Sequence, residues 1–166
     1  TPTGKDANRR EMFELTQRTA SLGVPMCAPL GFGTCAEGTY SLFEWIDGVE
    51  LEPALADLPD VEQYVYGVQA GEILQKIHSI PAPDDVPDWA ARFNAKASRK
   101  IEMFRSCPIQ FEGGEAIIAY IEENRGLLEN RPQCFQHGDY HVGNMMLDRA
   151  GRLRIIDFDR YDFGDP

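Results

Sequence analysis

Apolar positions recur along this chain in blocks of two different periods. From Arg9 to Leu22 they fall at Met12, Phe13, Leu15 and Thr19, a helical spacing that ends at Gly23 and Pro25. Thr1 to Asn8, ahead of this block, is polar and is expected to fray or to belong to something longer. Pro29–Phe32 and Thr39–Phe43 read as two strands joined by the turn Ala36-Glu37-Gly38. Glu44-Trp45-Ile46-Asp47-Gly48 then connects to Glu50–Asp57, a short helix or turn interrupted by Pro53 and followed by Pro59. The strongest helix is expected over Val61–Ile80. Tyr66, Ala70, Ile73, Leu74 and Ile77 make its stripe, and Val61, Tyr64, Val65 and Val68 widen it enough to predict burial in a core. His78, at its end, reads as a packed or capping histidine.

Beyond the loop Pro81–Pro87, Trp89–Phe104 is predicted helical, with Arg92, Lys96, Arg99 and Lys100 as a solvated face. Gln110–Gly114 is a loop. Glu115–Leu128 is predicted to be one helix, carrying Ile117, Ile118, Tyr120, Ile121, Leu127 and Leu128 and stopped by Arg131-Pro132. No internal repeat or low-complexity tract interrupts the pattern.

The period changes again at His137-Gly138-Asp139-Tyr140-His141-Val142-Gly143-Asn144. Here Met145-Met146-Leu147 and Leu153-Arg154-Ile155-Ile156 flank the turn Asp148-Arg149-Ala150-Gly151, a hairpin pattern with Gly where positive φ is needed. Asp139 and Asn144 precede the first strand and Asp157 follows the second, so the hairpin is expected to bring all three to one end. That trio suits metal-assisted phosphoryl transfer. One carboxylate, Asp139, orients or deprotonates an acceptor hydroxyl; two oxygen donors, Asn144 and Asp157, suit Mg²⁺ on nucleotide phosphates. Asp162-Phe163-Gly164 spells the protein-kinase metal triplet literally. It lies five residues beyond the strand end, however, so Asp162 and Asp165 are expected to cap turns or a following helix.

Composition narrows the function classes. A net charge of −11 in 166 residues argues against nucleic acid or an anionic membrane as the main partner and favours cationic ligands. Cys27, Cys35, Cys107 and Cys134 are scattered without a C-x-x-C pair, which argues against structural zinc or a disulfide framework. With no signal peptide and no long apolar run, a reducing cytoplasmic setting is expected.

The stretch His137–Asp157 resembles the catalytic loop of the aminoglycoside phosphotransferase family. Gly138 after His137 separates it from protein kinases, which usually carry Arg there, and Ile156-Asp157-Phe158-Asp159 resembles the family's metal-binding segment. The resemblance implies an α+β, protein-kinase-like fold. A partial N-terminal lobe is expected over 1–47, and a mostly helical catalytic lobe bearing the hairpin over 48–166. It implies a kinase using ATP or GTP with Mg²⁺ on a hydroxylated, cationic small molecule. His141 would reach the γ-phosphate, and His137 would pack and hold the loop. Glu11, rather than Glu14, would be the helix glutamate that pairs with a nucleotide-binding Lys, and Glu44, Trp45 and Ile46 would be the hinge whose backbone meets the adenine edge.

The family's Gly-rich loop, its nucleotide-binding Lys and its last helices have no counterpart in these residues. The 166 residues alone are therefore expected to turn over nucleotide poorly, and exposed apolar surface is expected to make them sticky or dimeric. A non-catalytic kinase-like binding domain is the alternative from another class. A metal-dependent phosphohydrolase is weaker, since it would want more converging carboxylates and histidines.

Overall fold

The computed structural model describes residues 4–166, with side chains described from residue 8 onward. The chain forms two compact units. One comprises the chain up to Ile80 together with Phe135–Asp162, the other Pro81–Cys134 with Phe163–Pro166.

In the first unit, helix α1 spans Gly4–Ser21 and so begins before Arg9. The polar residues from Gly4 to Asn8 include no proline, and a polar turn can extend a helix without showing apolar periodicity. Residues 1–3 lie outside the described residues. Met12 and Phe13 are buried, as are Thr16 and Thr19, whose hydroxyls are satisfied by the carbonyls of Phe13 (2.7 Å) and Leu15 (2.8 Å). Strands β1 (Pro29–Cys35) and β2 (Gly38–Phe43) pair antiparallel. The Phe13 ring joins them to α1, 5.7 Å from Phe32 and 5.9 Å from Phe43. A strand not expected from the sequence, β3 (Gly48–Glu50), leads into helix α2 (Leu51–Leu55), whose first turn accommodates Pro53.

Helix α3 (Asp60–His78) confirms the strongest helical signal but not its predicted girth of burial. Ile73 and Ile77 are buried, while Val61 (69% exposed), Tyr64 (73%), Val65 and Val68 face solvent. A helix buries a face only where a second surface meets it, and among the described residues none covers this part of α3. His78 is packed as expected: it hydrogen-bonds Gln136, and burial lowers its pKa.

In the second unit, α4 (Trp89–Ser106) starts at an Asp88 cap that accepts from the Ala91 N–H at 2.8 Å. Arg92 does not belong to its solvated face. Its guanidinium donates to the Phe163 carbonyl and lies over the Trp89 ring, an aromatic partner that charge patterning alone could not reveal. The helix expected over Glu115–Leu128 is α5 (Gly114–Glu123) followed by a separate 3₁₀ turn, Arg125–Leu128. Asn124 breaks it by turning its side chain back to the Tyr120 carbonyl at 2.7 Å. Of the apolar residues in this stretch, Ile118 is buried, while Ile117, Tyr120, Ile121 and Leu127 are exposed.

The chain then forms β4 (Cys134–Gln136), β5 (Met145–Asp148), β6 (Leu153–Ile155) and β7 (Asp162–Gly164). β3, β5 and β6 make one antiparallel sheet in that order, so β3 lies directly on the hairpin. The hairpin turn has the expected chemistry. Gly151 sits at φ 73°, and the Asp148 carboxylate accepts from the Ala150 and Arg152 N–H groups, each at 3.0 Å. Neither Asp162 nor Asp165 caps a helix: Asp162 starts β7, and Asp165 pairs with Arg131 at 2.9 Å.

Candidate active site

His137 is the pivot of the loop after β4. Its ring is buried 4.4 Å from the Phe158 ring, which stacks in turn on Phe135. Nε2–H donates to the Ile156 carbonyl at 2.9 Å, and Nδ1 accepts from the Asp139 N–H at 3.3 Å. Those roles require the neutral Nε2–H tautomer, in keeping with a pKa lowered chiefly by burial. Gly138 has φ 80°, and a Cβ there would collide with the Arg160 carbonyl. Tyr140 anchors the loop to α3 by donating to the Ala70 carbonyl at 2.7 Å; burial pushes its hydroxyl pKa up to about 12.

The Asp139 carboxylate is about one-third exposed and lies between two cationic or potentially cationic groups, Arg160 Nη1 at 3.4 Å and His141 Nε2 at 3.8 Å. The His141 Nδ1 accepts from the Gly143 N–H at 3.1 Å, which leaves the proton of the neutral ring on the Nε2 that faces Asp139. Asn144 is held from both ends. Its Nδ2 donates to the Asp139 carbonyl at 2.9 Å, and its own carbonyl accepts from the Ile156 N–H at 3.1 Å. The first bond leaves Asn144 Oδ1 as the acceptor end of the amide, and the second closes the hairpin one residue short of Asp157. Asp157 is exposed at φ 63°, a left-handed conformation that costs a non-glycine residue about 1–2 kcal/mol and that the hairpin end imposes.

Beside this hairpin end lies a cavity of about 440 Å³. Met12 and Thr16 line it from α1, Met26 and Cys27 from the segment before β1, Glu44, Trp45 and Ile46 from the connection after β2, and Met146 with Ile156–Asp159 from the hairpin. Asp157 is in the lining and Asp162 is not. Ile46 is buried, whereas Trp45 is 87% exposed at the cavity rim. Among the described residues, the Glu44 carbonyl and the Ile46 N–H take no backbone hydrogen bond. Glu11 lies outside the lining, solvent-exposed, and accepts a hydrogen bond from the Tyr161 hydroxyl. The Cys27 thiol, in the cavity wall, has its pKa raised by burial.

Among the described residues, no three His, Cys, Asp or Glu side chains converge as a metal centre. The donors present, one amide oxygen and one exposed carboxylate, fit a hard cation that takes its other ligands from water and phosphate, and they do not fit a thiolate or imidazole site.

The family model for the phosphotransferase enzyme family matches residues 1–166. The chain belongs to this family. Solved aminoglycoside phosphotransferases share its kinase-like α+β fold. The APH(2")-IIa ternary complex with streptomycin and ATP superposes with TM-score 0.68 at 18% identity, covering 100% of this chain and 59% of that one. APH(3'')-Id from Streptomyces rimosus, in complex with ADP and streptomycin, gives TM-score 0.60 at 16% identity, covering 100% of this chain and 65% of that one. An aminoglycoside phosphotransferase from Alicyclobacillus acidocaldarius gives TM-score 0.60 at 15% identity, over 96% of this chain and 55% of that one. This phosphotransferase-family chain thus spans roughly three-fifths of the length of the structures it resembles. No curated protein matches it.

Sequence reasoning did not find Tyr140, Arg160, Thr16, Met26 or Cys27. Each enters the site by tertiary approach, and only Arg160, a basic residue among the acids after Asp157, left a trace in the sequence.

Proposed function

We propose that this chain carries the chemistry of a small-molecule kinase, which moves the γ-phosphate of ATP or GTP to a hydroxyl of an aminoglycoside-like, cationic acceptor. The observation that carries the reading is one juxtaposition. Asn144, bonded to the Asp139 carbonyl, and Asp157 flank the β5–β6 hairpin at one end, and Asp157 lines a cavity of about 440 Å³ that the Glu44–Ile46 connection also walls. The similar structures that hold streptomycin together with ATP or ADP support the ligand classes.

In this reading the free Glu44 carbonyl and Ile46 N–H meet the adenine edge, with Trp45 shielding the rim. Asn144 Oδ1 and the Asp157 carboxylate hold Mg²⁺, which when bound neutralises charge on the phosphate oxygens. Asp139 takes the proton of the acceptor hydroxyl as its oxygen bonds to the γ-phosphorus and the bond to the bridging β–γ oxygen breaks, releasing ADP or GDP. His141 Nε2–H donates toward the γ-phosphate, and Glu11 pairs with the cation that fixes the phosphates. Residues 1–47 belong to the nucleotide-side lobe and 48–166 to the catalytic lobe. An aminoglycoside acceptor would make the protein a cytoplasmic antibiotic-resistance enzyme.

Titrating ATP and GTP with Mg²⁺ into the protein, then following product mass over a panel of aminoglycosides, amino alcohols and sugars, tests the reading. Saturable nucleotide binding with no phosphorylated product from any acceptor would favour a non-catalytic binding domain instead.

A further inference from the structure

One largely desolvated side chain bonded to two residues of the cavity wall has no role in the reading above. Arg154 lies on β6, three residues before Asp157, and its side chain is 20% exposed. Its guanidinium reaches three separate pieces of chain. Nη2 donates to the Met26 carbonyl at 2.7 Å and to Glu44 Oε2 at 3.2 Å, and Nη1 lies 3.9 Å from Asp148 Oδ2. Met26 and Glu44 both line the cavity, as do Ile156 and Asp157, which follow β6 directly. Two backbone bonds frame the same junction: Ile155 N–H to the Pro25 carbonyl and Glu44 N–H to the Ala28 carbonyl, each at 2.8 Å.

The neighbouring ion pairs differ from it. Arg149–Asp47 is exposed on both sides (82% and 61%), and Arg152 is 71% exposed where it meets Asp148. Pairs so exposed contribute little. Arg154 is largely desolvated, and its planar fork suits several acceptors at once in a way that Lys cannot copy.

We infer that Arg154 is a positioning residue for the nucleotide. It ties the cavity wall at Met26 and the hinge at Glu44 to β6, the strand that leads to Asp157, and so sets the distance between the adenine edge and the metal-holding carboxylate. This rests on the nucleotide reading of the cavity. A nucleotide spans both ends of that distance, so loosening it weakens donor binding, while Asp139 and the acceptor side are untouched.

The test compares Arg154→Met, Arg154→Lys and, as a charge control, Arg152→Gln. ATP and GTP with Mg²⁺ are titrated into each, and hydrogen exchange is read at the Glu44 and Ile155 amides. Arg154→Met should raise the nucleotide Kd and KM roughly tenfold, the scale of losing charge-assisted hydrogen bonds, with kcat at saturation within about threefold. Arg154→Lys should fall between it and the parent, and Arg152→Gln should stay within about twofold. Both amides should exchange about tenfold faster in Arg154→Met. A parent that binds nucleotide while Arg154→Met binds equally well overturns the positioning role alone. So does a loss in kcat with Kd unchanged, or equal loss of donor and acceptor affinity. A parent that binds neither nucleotide overturns the cavity reading, and this inference with it.

Discussion

At the scale of single residues, the site is a set of side chains whose freedom is used up by backbone partners. Asn144 keeps Oδ1 as its acceptor, His137 keeps neither ring nitrogen, and Asp139 keeps a carboxylate exposed between Arg160 and His141. If Asp139 acts on the acceptor proton, Asp139→Asn should lower turnover by about two to four orders of magnitude while nucleotide affinity holds. Steady-state kinetics beside a binding titration checks this, and near-normal turnover would remove the assigned role. Gly138→Ala should cost about 2–4 kcal/mol in a urea unfolding curve, because it meets both a left-handed φ and the Arg160 carbonyl. His137 sets a pH dependence. Its folded pKa lies below the ordinary value of 6.5, so the unfolded chain binds the proton more tightly. Its stabilisation is therefore complete above pH 6.5 and is lost as pH falls through that value toward the lowered one. His78 acts in the same direction. Unfolding free energy should fall on acidification across this window, and His137→Asn should flatten the slope; an unchanged slope would show that His137 is not buried neutral.

At the scale of elements, β5–β6 and its turn were legible because each residue type states its own reason: alternation for the strands, Asp148 for the turn's N–H groups, Gly151 for positive φ. The helices were legible as helices but not as faces. α3 carries its apolar residues around much of its girth, yet Ile77 is fully buried and Val65 is 46% exposed. Ile77→Ala should accordingly cost about 2–5 kcal/mol, whereas Val65→Ser should shift stability by no more than about 0.5 kcal/mol. Comparable losses at both positions, measured by thermal or chemical unfolding, would show that the exposed face of α3 is covered in solution. β3 was illegible for a different reason: a three-residue strand shows no alternation, and only its pairing with Gly48 opposite Asp148 defines it.

At the scale of the whole molecule, a net charge of −11 belongs to no single site but sets the approach of ligands. With a cationic acceptor, the acceptor KM should rise between about 50 and 300 mM salt, as the Debye length shrinks below about 10 Å, while that of a neutral sugar should not. A salt-independent KM for a cationic acceptor would dismiss steering. The sequence by itself determined the main helices, the β1–β2 pair, the β5–β6 hairpin and the family. These rest on short-range chemistry: periodicity, turn residues, and a spacing that a hairpin converts directly into proximity. Only the tertiary structure decided which helix faces are buried, that Arg92 turns inward onto Trp89 and the Phe163 carbonyl, that Arg160 faces Asp139, and that Arg154 joins Met26 to Glu44. Those contacts are made between residues up to 128 positions apart, and burial is a property of the surface that meets a residue, which no local pattern around that residue contains.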